Sequence, residues 1–312
     1  MLGQEWFNDD FFWECFAPIM FDKAHWAEVP AVAGGSIRLA RTDGAVSLRS
    51  AAASGAASLR STAASGAASL RSTAVFGAAS LRSAEDPPAC LDLCCGFGRI
   101  GLELARQGFA LTGVDITGPY LETAREDAAA EGLDAEFILE DVRLFKRPGA
   151  FDIAVNLYNS FGYFEDPADD KRLVRNAFES LKPGGVFFIE TLGKEILARD
   201  FVESEWFRRA GFFVLTEYKA LDSWGAMKNT WRLIPERNYP AGAGNKGLSA
   251  KDPAIEGGVI EKTFVHRLYA ASELRALLLE AGFASAEVYG DWDERPYDST
   301  AVKLIVLGRK AG

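Results

Sequence analysis

The stretch Ala89-Cys90-Leu91-Asp92-Leu93-Cys94-Cys95-Gly96-Phe97-Gly98-Arg99, followed by an apolar run that closes on Asp115, constrains the fold more than any other part of the chain. An apolar strand runs into a glycine turn, a helix opens at Arg99, and a second strand ends in a carboxylate. That order is the front of a nucleotide-type α/β unit. Gly96, Gly98 and Gly101 spell G-x-G-x-x-G, and Asp115 lies 19 residues beyond Gly96, where the ribose-binding acid of a dinucleotide site would sit.

Two ligands compete for such a unit, NAD and S-adenosylmethionine. Asp92 stands at the mouth of the first strand, just ahead of the glycines. A carboxylate there repels a pyrophosphate but suits the ammonium and sulfonium of S-adenosylmethionine. The charge favours the methyl donor, with an NAD-linked oxidoreductase or a donor-binding, non-catalytic protein as the alternatives.

On these residues the chain resembles the class I S-adenosylmethionine-dependent methyltransferases of small-molecule type. Their first motif is an acid followed by G-x-G-x-G; here Asp92 leads it and Cys94 replaces the first glycine. Further matches follow in the family's order. Gly113-Val114-Asp115 ends strand two, Glu140-Asp141-Val142 ends strand three, Phe151 to Asn156 forms strand four, and Leu181-Lys182-Pro183-Gly184-Gly185 turns into strand five, Val186 to Thr191. The resemblance implies an α/β fold: a Rossmann-like seven-stranded sheet with a reversed C-terminal hairpin, here with an added antiparallel β lid.

The resemblance also implies a donor site. Asp115, with Ile116 beside it, would face both ribose hydroxyls, and Asp141 would meet the adenine amino group with the Val142 amide on a ring nitrogen. Gly96 and Gly98, with Cys94 ahead of them, would let the backbone approach the methionine part. Asp92 would hold the ammonium, with the Asn156 carbonyl as a second candidate. Near the transferring methyl the leading side chains are Tyr158 and Asn159, then Ser160 and Tyr163. His266, with an ordinary pKa of about 6.5, is the candidate base; His25 is a weaker one, and Glu190 would orient an amine acceptor or cap the next helix.

Composition agrees with one large α/β core or a core plus a small second layer, at 312 residues, 48% hydrophobic and 25% charged. There is no run of 18 apolar residues, and Met1 to Asp10 carries acids rather than a basic head and apolar middle, so the expectation is a cytoplasmic chain without membrane partners. A net charge of −10 argues against nucleic acid. The partner expected is a small-molecule methyl acceptor; oligomeric state is not legible. The four cysteines read as reduced apolar residues, and adjacent Cys94 and Cys95 lack ligand spacing, so no metal site is expected.

Five segments emerge. Residues 1–43 carry an aromatic stretch, Trp6 to Trp26, expected as a helical cap over the sheet. Residues 44–85 hold an eleven-residue repeat whose glycines and serines favour coil, a low-complexity insertion. Residues 86–204 form the donor-binding core. Residues 205–267 alternate in Phe213 to Lys219, Lys228 to Ile234 and Val259 to His266, an antiparallel lid interrupted by a loop at 238–258, and the resemblance implies that this insertion forms the acceptor pocket. Residues 268–312 complete the core: a helix capped by Ser272 and stopped by Gly282, then strands Ala286 to Tyr289 and Val302 to Leu307. So short a link makes that last pair antiparallel.

Overall fold

The computed structural model describes residues 6–21, 23–41, 87–236 and 259–312. The repeat at 44–83 and the loop at 238–258 lie outside the described residues.

The core elements are β1 (Ala89–Leu93), α3 (Arg99–Arg106), β2 (Ala110–Asp115), α4 (Gly118–Glu131), β3 (Ala135–Leu139), β4 (Phe151–Asn156), α5 (Pro167–Ser180), β5 (Leu181–Thr191), α6 (Lys194–Arg199), α7 (Ala271–Ala281), β10 (Ser285–Tyr289) and β11 (Leu304–Arg309). They build a seven-stranded sheet in the order β10-β11-β5-β4-β1-β2-β3. The five strands β5, β4, β1, β2 and β3 are parallel, and β11 runs antiparallel between β5 and β10. The reversed hairpin thus forms as expected, since its connection is too short for a crossover helix.

Alternation along the central strands explains how helices cover both faces. Val186 and Phe188 on β5, with Ile305 and Leu307 on β11, pack into the layer of α3 and α4. Phe187 and Ile189, with Leu304 and Val306, pack into the layer of α5 and α7. Period-two side chains buried on both faces leave near-continuous apolar runs, as in a sheet covered on both sides.

Before the core come α1 (Asp10–Met20) and α2 (Lys23–Arg41). The aromatic stretch was expected as one cover over the sheet; it divides instead at Phe21, and its two parts go to different places. Val29, Val32, Ala33 and Ile37 of α2 join the α3 side of the main core. Phe12, Cys15, Phe16 and Ile19 of α1 pack on a second sheet.

That second sheet has four antiparallel strands, β6 (Ser204–Arg209), β7 (Phe212–Leu221), β8 (Ala226–Pro235) and β9 (Ile260–Arg267). The last three match the expected lid. Strand β6 was not anticipated, because an edge strand pairs on one side only and its Ser-Glu-Trp-Phe-Arg-Arg carries no apolar alternation.

Two smaller expectations change. The Glu140-Asp141-Val142 triplet lies beyond β3, which ends at Leu139. Ser272 is not the cap of α7: the helix starts at Ala271, and the Glu273 carboxylate reaches back to accept from the Ala270 amide at 2.7 Å. A carboxylate at the third helical position takes the amide of the residue just before the helix, the half of a capping box that a serine cap does not supply.

Candidate active site

A cavity of about 780 Å³ opens where the carboxyl ends of the parallel strands face the second sheet. This is the crevice at which open α/β sheets bind ligands. Among the residues the sequence singled out, Asp92, Cys94, Gly96, Asp115, Ile116, Asp141, Val142, Tyr158, Asn159, Ser160, Tyr163, His25 and His266 all line it.

The glycine turn holds its shape through left-handed backbone. Cys94 takes φ 59°, Gly96 φ 54° and Gly98 φ 72°. A Cβ on Gly98 would stand 3.1 Å from Phe137 and 3.3 Å from Ala124, so a side chain there would press both neighbours by a few tenths of an ångström on top of a left-handed backbone. Cys94 tolerates the same conformation at a cost of about 1–2 kcal/mol.

Two buried carboxylates flank this turn. Asp115 accepts from the amides of Gly96 and Thr117, each at 2.8 Å. Asp92 accepts from the Gly101 amide at 3.1 Å. Burial pushes Asp92 up to about 7, against the Gly101 hydrogen bond, while the charge of Asp115 raises it and Arg99 lowers it. Burial raises Asp115 too, opposed by its backbone hydrogen bonds. Two acids crowded in a dry cleft resist ionisation, and a cation entering beside them relieves that cost. An anionic pyrophosphate would worsen it. The donor set therefore fits the sulfonium and ammonium of S-adenosylmethionine.

The other expected donor residues stand differently. Asp141 is held by Arg143, whose guanidinium meets it at 2.6 Å and also reaches Asp169 at 3.1 Å. Its carboxylate is thus already engaged by a cation, and the neighbouring Val142 supplies buried apolar surface to the cavity. Asn156 is fully buried and does not line the cavity; its Nδ2 donates to the Leu93 carbonyl at 3.0 Å, tying β4 to β1.

The turn after β4 is strained where function was expected. Tyr158 and Asn159 take φ 56° and 63° in succession. Such backbone costs of order 1–3 kcal/mol per residue and persists only where neighbours enforce it. Glu190 is the enforcer: its Oε2 accepts from the Tyr158 amide at 3.0 Å, and Oε1 faces Lys303 at 3.5 Å. It neither faces the cavity nor caps α6. Asn159 Oδ1 accepts from the Leu192 amide at 2.5 Å, so Asn159 also anchors the turn.

His266 on β9 is bonded through Nε2 to the Phe161 carbonyl at 2.6 Å. A carbonyl only accepts, so Nε2 carries the proton and Nδ1 is the lone-pair nitrogen. Burial lowers its pKa, keeping the ring neutral near pH 7. Tyr163 packs edge-on against it at 5.1 Å.

The N-terminal arm roofs the site. Phe21 stands edge-on to Phe97 and Tyr120, and the Tyr120 hydroxyl donates to the Trp13 carbonyl at 2.5 Å. Sequence reasoning passed over Arg99, the residue right behind the glycine turn, which is 5% exposed yet lines the cavity. Its place after Gly98 was the available signal.

The seven-stranded sheet with its reversed strand is the class I methyltransferase fold, and comparisons with known proteins agree. A family described as methyltransferase domain matches residues 90–185. A ubiquinone biosynthesis O-methyltransferase of Caulobacter vibrioides is 33% identical over 110 residues, 35% of this chain and 42% of that protein. A putative methyltransferase, YqeM of Bacillus subtilis, is 30% identical over 115 residues, 36% of this chain and 46% of the relative. The chain thus spans less than half the length of these curated relatives. An S-adenosylmethionine-dependent methyltransferase of Clostridium acetobutylicum superposes with a TM-score of 0.58 at 16% identity, covering 72% of this chain and 85% of the other. The CcbJ methyltransferase of Streptomyces caelestis gives 0.58 at 20% identity, over 72% and 84%. Residues 90–185 thus match a methyltransferase-domain family, and the fold is that of solved S-adenosylmethionine-dependent methyltransferases. The NAD-linked alternative finds no support. Among the described residues no helix is long and apolar enough to cross a membrane.

Proposed function

We propose that this chain transfers the methyl group of S-adenosylmethionine to a small-molecule acceptor held against the second sheet. One observation carries the reading: the strand-end acids Asp92 and Asp115 share a single cavity with an apolar wall from the second sheet, Phe207, Met227, Trp231 and Phe264. Donor and acceptor therefore meet in one shared cavity.

Bound S-adenosylmethionine supplies an electrophilic methyl carbon, which passes to the acceptor's lone pair as the carbon–sulfur bond breaks and its electrons stay on sulfur. The protein's part is alignment, worth about 7–11 kcal/mol when geometry is well held. Asp115 takes the ribose hydroxyls and Asp92 the ammonium. Asp141, oriented by Arg143, sits at the adenine end with Val142. The Tyr158–Asn159 turn and Tyr163 shape the space around the reacting atoms. Nδ1 of His266 accepts the proton that a hydroxyl acceptor releases.

Mass spectrometry of ligand released from purified protein tests the donor: S-adenosylmethionine or its demethylated product is expected. Calorimetry should then show binding of S-adenosylmethionine and none of NAD; the reverse result sinks the reading. The base is tested by His266→Gln, whose amide can still donate to the Phe161 carbonyl while lacking a basic nitrogen. Turnover of a hydroxyl acceptor should fall about 10²–10⁴-fold with donor affinity and melting temperature unchanged. A drop under threefold would return His266 to a purely packing role.

A further inference from the structure

A buried acid outside the cavity has a hold on His266 that the chemistry above does not use. Asp170, in the first turn of α5, is fully buried and is not among the residues that line the cavity. Its Oδ2 accepts from the Tyr269 hydroxyl at 2.7 Å and stands 3.3 Å from Arg267 Nε. Oδ1 has no hydrogen-bond partner among the described residues. Burial pushes Asp170 up to about 6, against the Tyr269 hydroxyl and the Arg267 charge, so the carboxylate is ionised at pH 7.5.

A buried ion pair adds little to stability, because desolvating the charges offsets their attraction; its best-attested use is to fix one register. Here the register at stake is the end of β9. Side chains alternate along a strand, so a slip of one residue would turn His266 from the cavity face to the outer face. Arg267 follows His266 directly and is tied to the segment before α5. Its amide donates to the Gly162 carbonyl at 2.8 Å, Nη2 donates to the Glu165 carbonyl at 2.7 Å, and Nε faces Asp170. Tyr269, the other partner of Asp170, packs its ring on Phe161 at 5.2 Å, and the Phe161 carbonyl is the one bonded to His266 Nε2. Strand and segment lie so close that a Cβ on Gly162 would stand 2.5 Å from the Arg267 carbonyl oxygen and 3.1 Å from His266 Cδ2. One carboxylate therefore holds both the strand that carries His266 and the residue whose carbonyl sets its tautomer.

We propose that Asp170 is a positioning residue which, acting through Arg267 and Tyr269, fixes His266 with its proton on Nε2 and its lone pair on Nδ1. The consequence for catalysis rests on His266 being the base.

The chain holds two histidines, His25 and His266. Heteronuclear NMR of the full chain labelled at histidine nitrogen therefore reads the tautomer of His266, with His25→Gln assigning the signals. At pH 7.5 the unaltered protein should show His266 as a single Nε2–H tautomer with a lowered pKa. Asp170→Asn keeps an oxygen for the Tyr269 hydroxyl and removes the charge. In it the single tautomer should give way to a mixture, and the ring's pKa should climb toward the ordinary value of about 6.5. Arg267→Gln should reproduce that effect. Tyr269→Phe keeps the ring on Phe161 and should move the pKa in the same direction by less; it serves as the test should Asp170→Asn fail to fold. A lower melting temperature with the His266 signals unchanged in these variants would make Asp170 a packing residue and overturn the proposal. So would a mixture of tautomers in the unaltered protein. If the tautomer depends on Asp170 while His266→Gln keeps turnover within about threefold, the positioning stands and only the base reading falls.

Discussion

Asp92 illustrates how one side chain ties ligand choice to pH. An aspartate in water ionises near 3.9, whereas burial beside Asp115 moves this one to about 7. A cationic ligand favours the ionised form, so donor affinity should rise between pH 5.5 and 7.5, by up to about tenfold per unit below pH 7. In Asp92→Asn that dependence should disappear and affinity at pH 7.5 should drop. Without ligand the sign reverses. The folded state holds its proton more tightly than the unfolded one, so Asp92 favours folding below about 3.9 and loses that contribution as pH climbs to about 7. The melting temperature of Asp92→Asn relative to the unaltered protein should therefore improve from pH 4 to pH 7. Titration calorimetry and thermal scans at matched pH check both halves.

Among the elements, the strand–turn–helix unit is the most tightly specified. A Cβ on Gly101 would lie 2.8 Å from both Leu111 methyls and 3.0 Å from Asp92 Oδ2. Helix α3 rests directly on β2 there, and the same spot carries the amide that holds Asp92. Gly101→Ala should cost about 1–3 kcal/mol as overpacking and should also weaken donor binding, because Asp92 must shift. A variant with unchanged melting and affinity would contradict that close approach. This unit was readable from sequence because glycine positions and strand-end acids are local signals. The five parallel strands were readable for the same reason, each being an apolar run ending at a turn. Strand β6 was not, since edge pairing leaves no periodic mark. The roles of Glu190 and Asn159 were also hidden, because they depend on what the turn after β4 needs once folded. Asp141 was found by its place after β3, but its clasp with Arg143 and Asp169 spans α5 and left no pattern in the chain. Arg99 was visible and unread, since an arginine opening a helix is ordinary until it proves to be buried against the cavity.

At the scale of the whole molecule, the N-terminal arm fastens the two sheets to each other. Helix α1 completes the core of the second sheet through Phe12, Phe16 and Ile19, and α2 joins the main core. Arg209 of β6 donates to the Ile19 carbonyl, and Lys262 of β9 meets Asp9. Phe16 is fully buried, so Phe16→Ala should cost about 3–5 kcal/mol, and the second sheet should lose protection from hydrogen exchange before the parallel core does. Uniform loss of protection across both sheets would show that the two unfold as one unit. The division shows in the sequence match as well. The stretch shared with the methyltransferase-domain family ends at residue 185, before the second sheet begins at Ser204. The wall residues Phe207, Met227, Trp231 and Phe264 therefore fall outside the matched stretch while Asp92 and Asp115 fall within it, so substitutions can reshape one side of the cavity without touching the acids on the other.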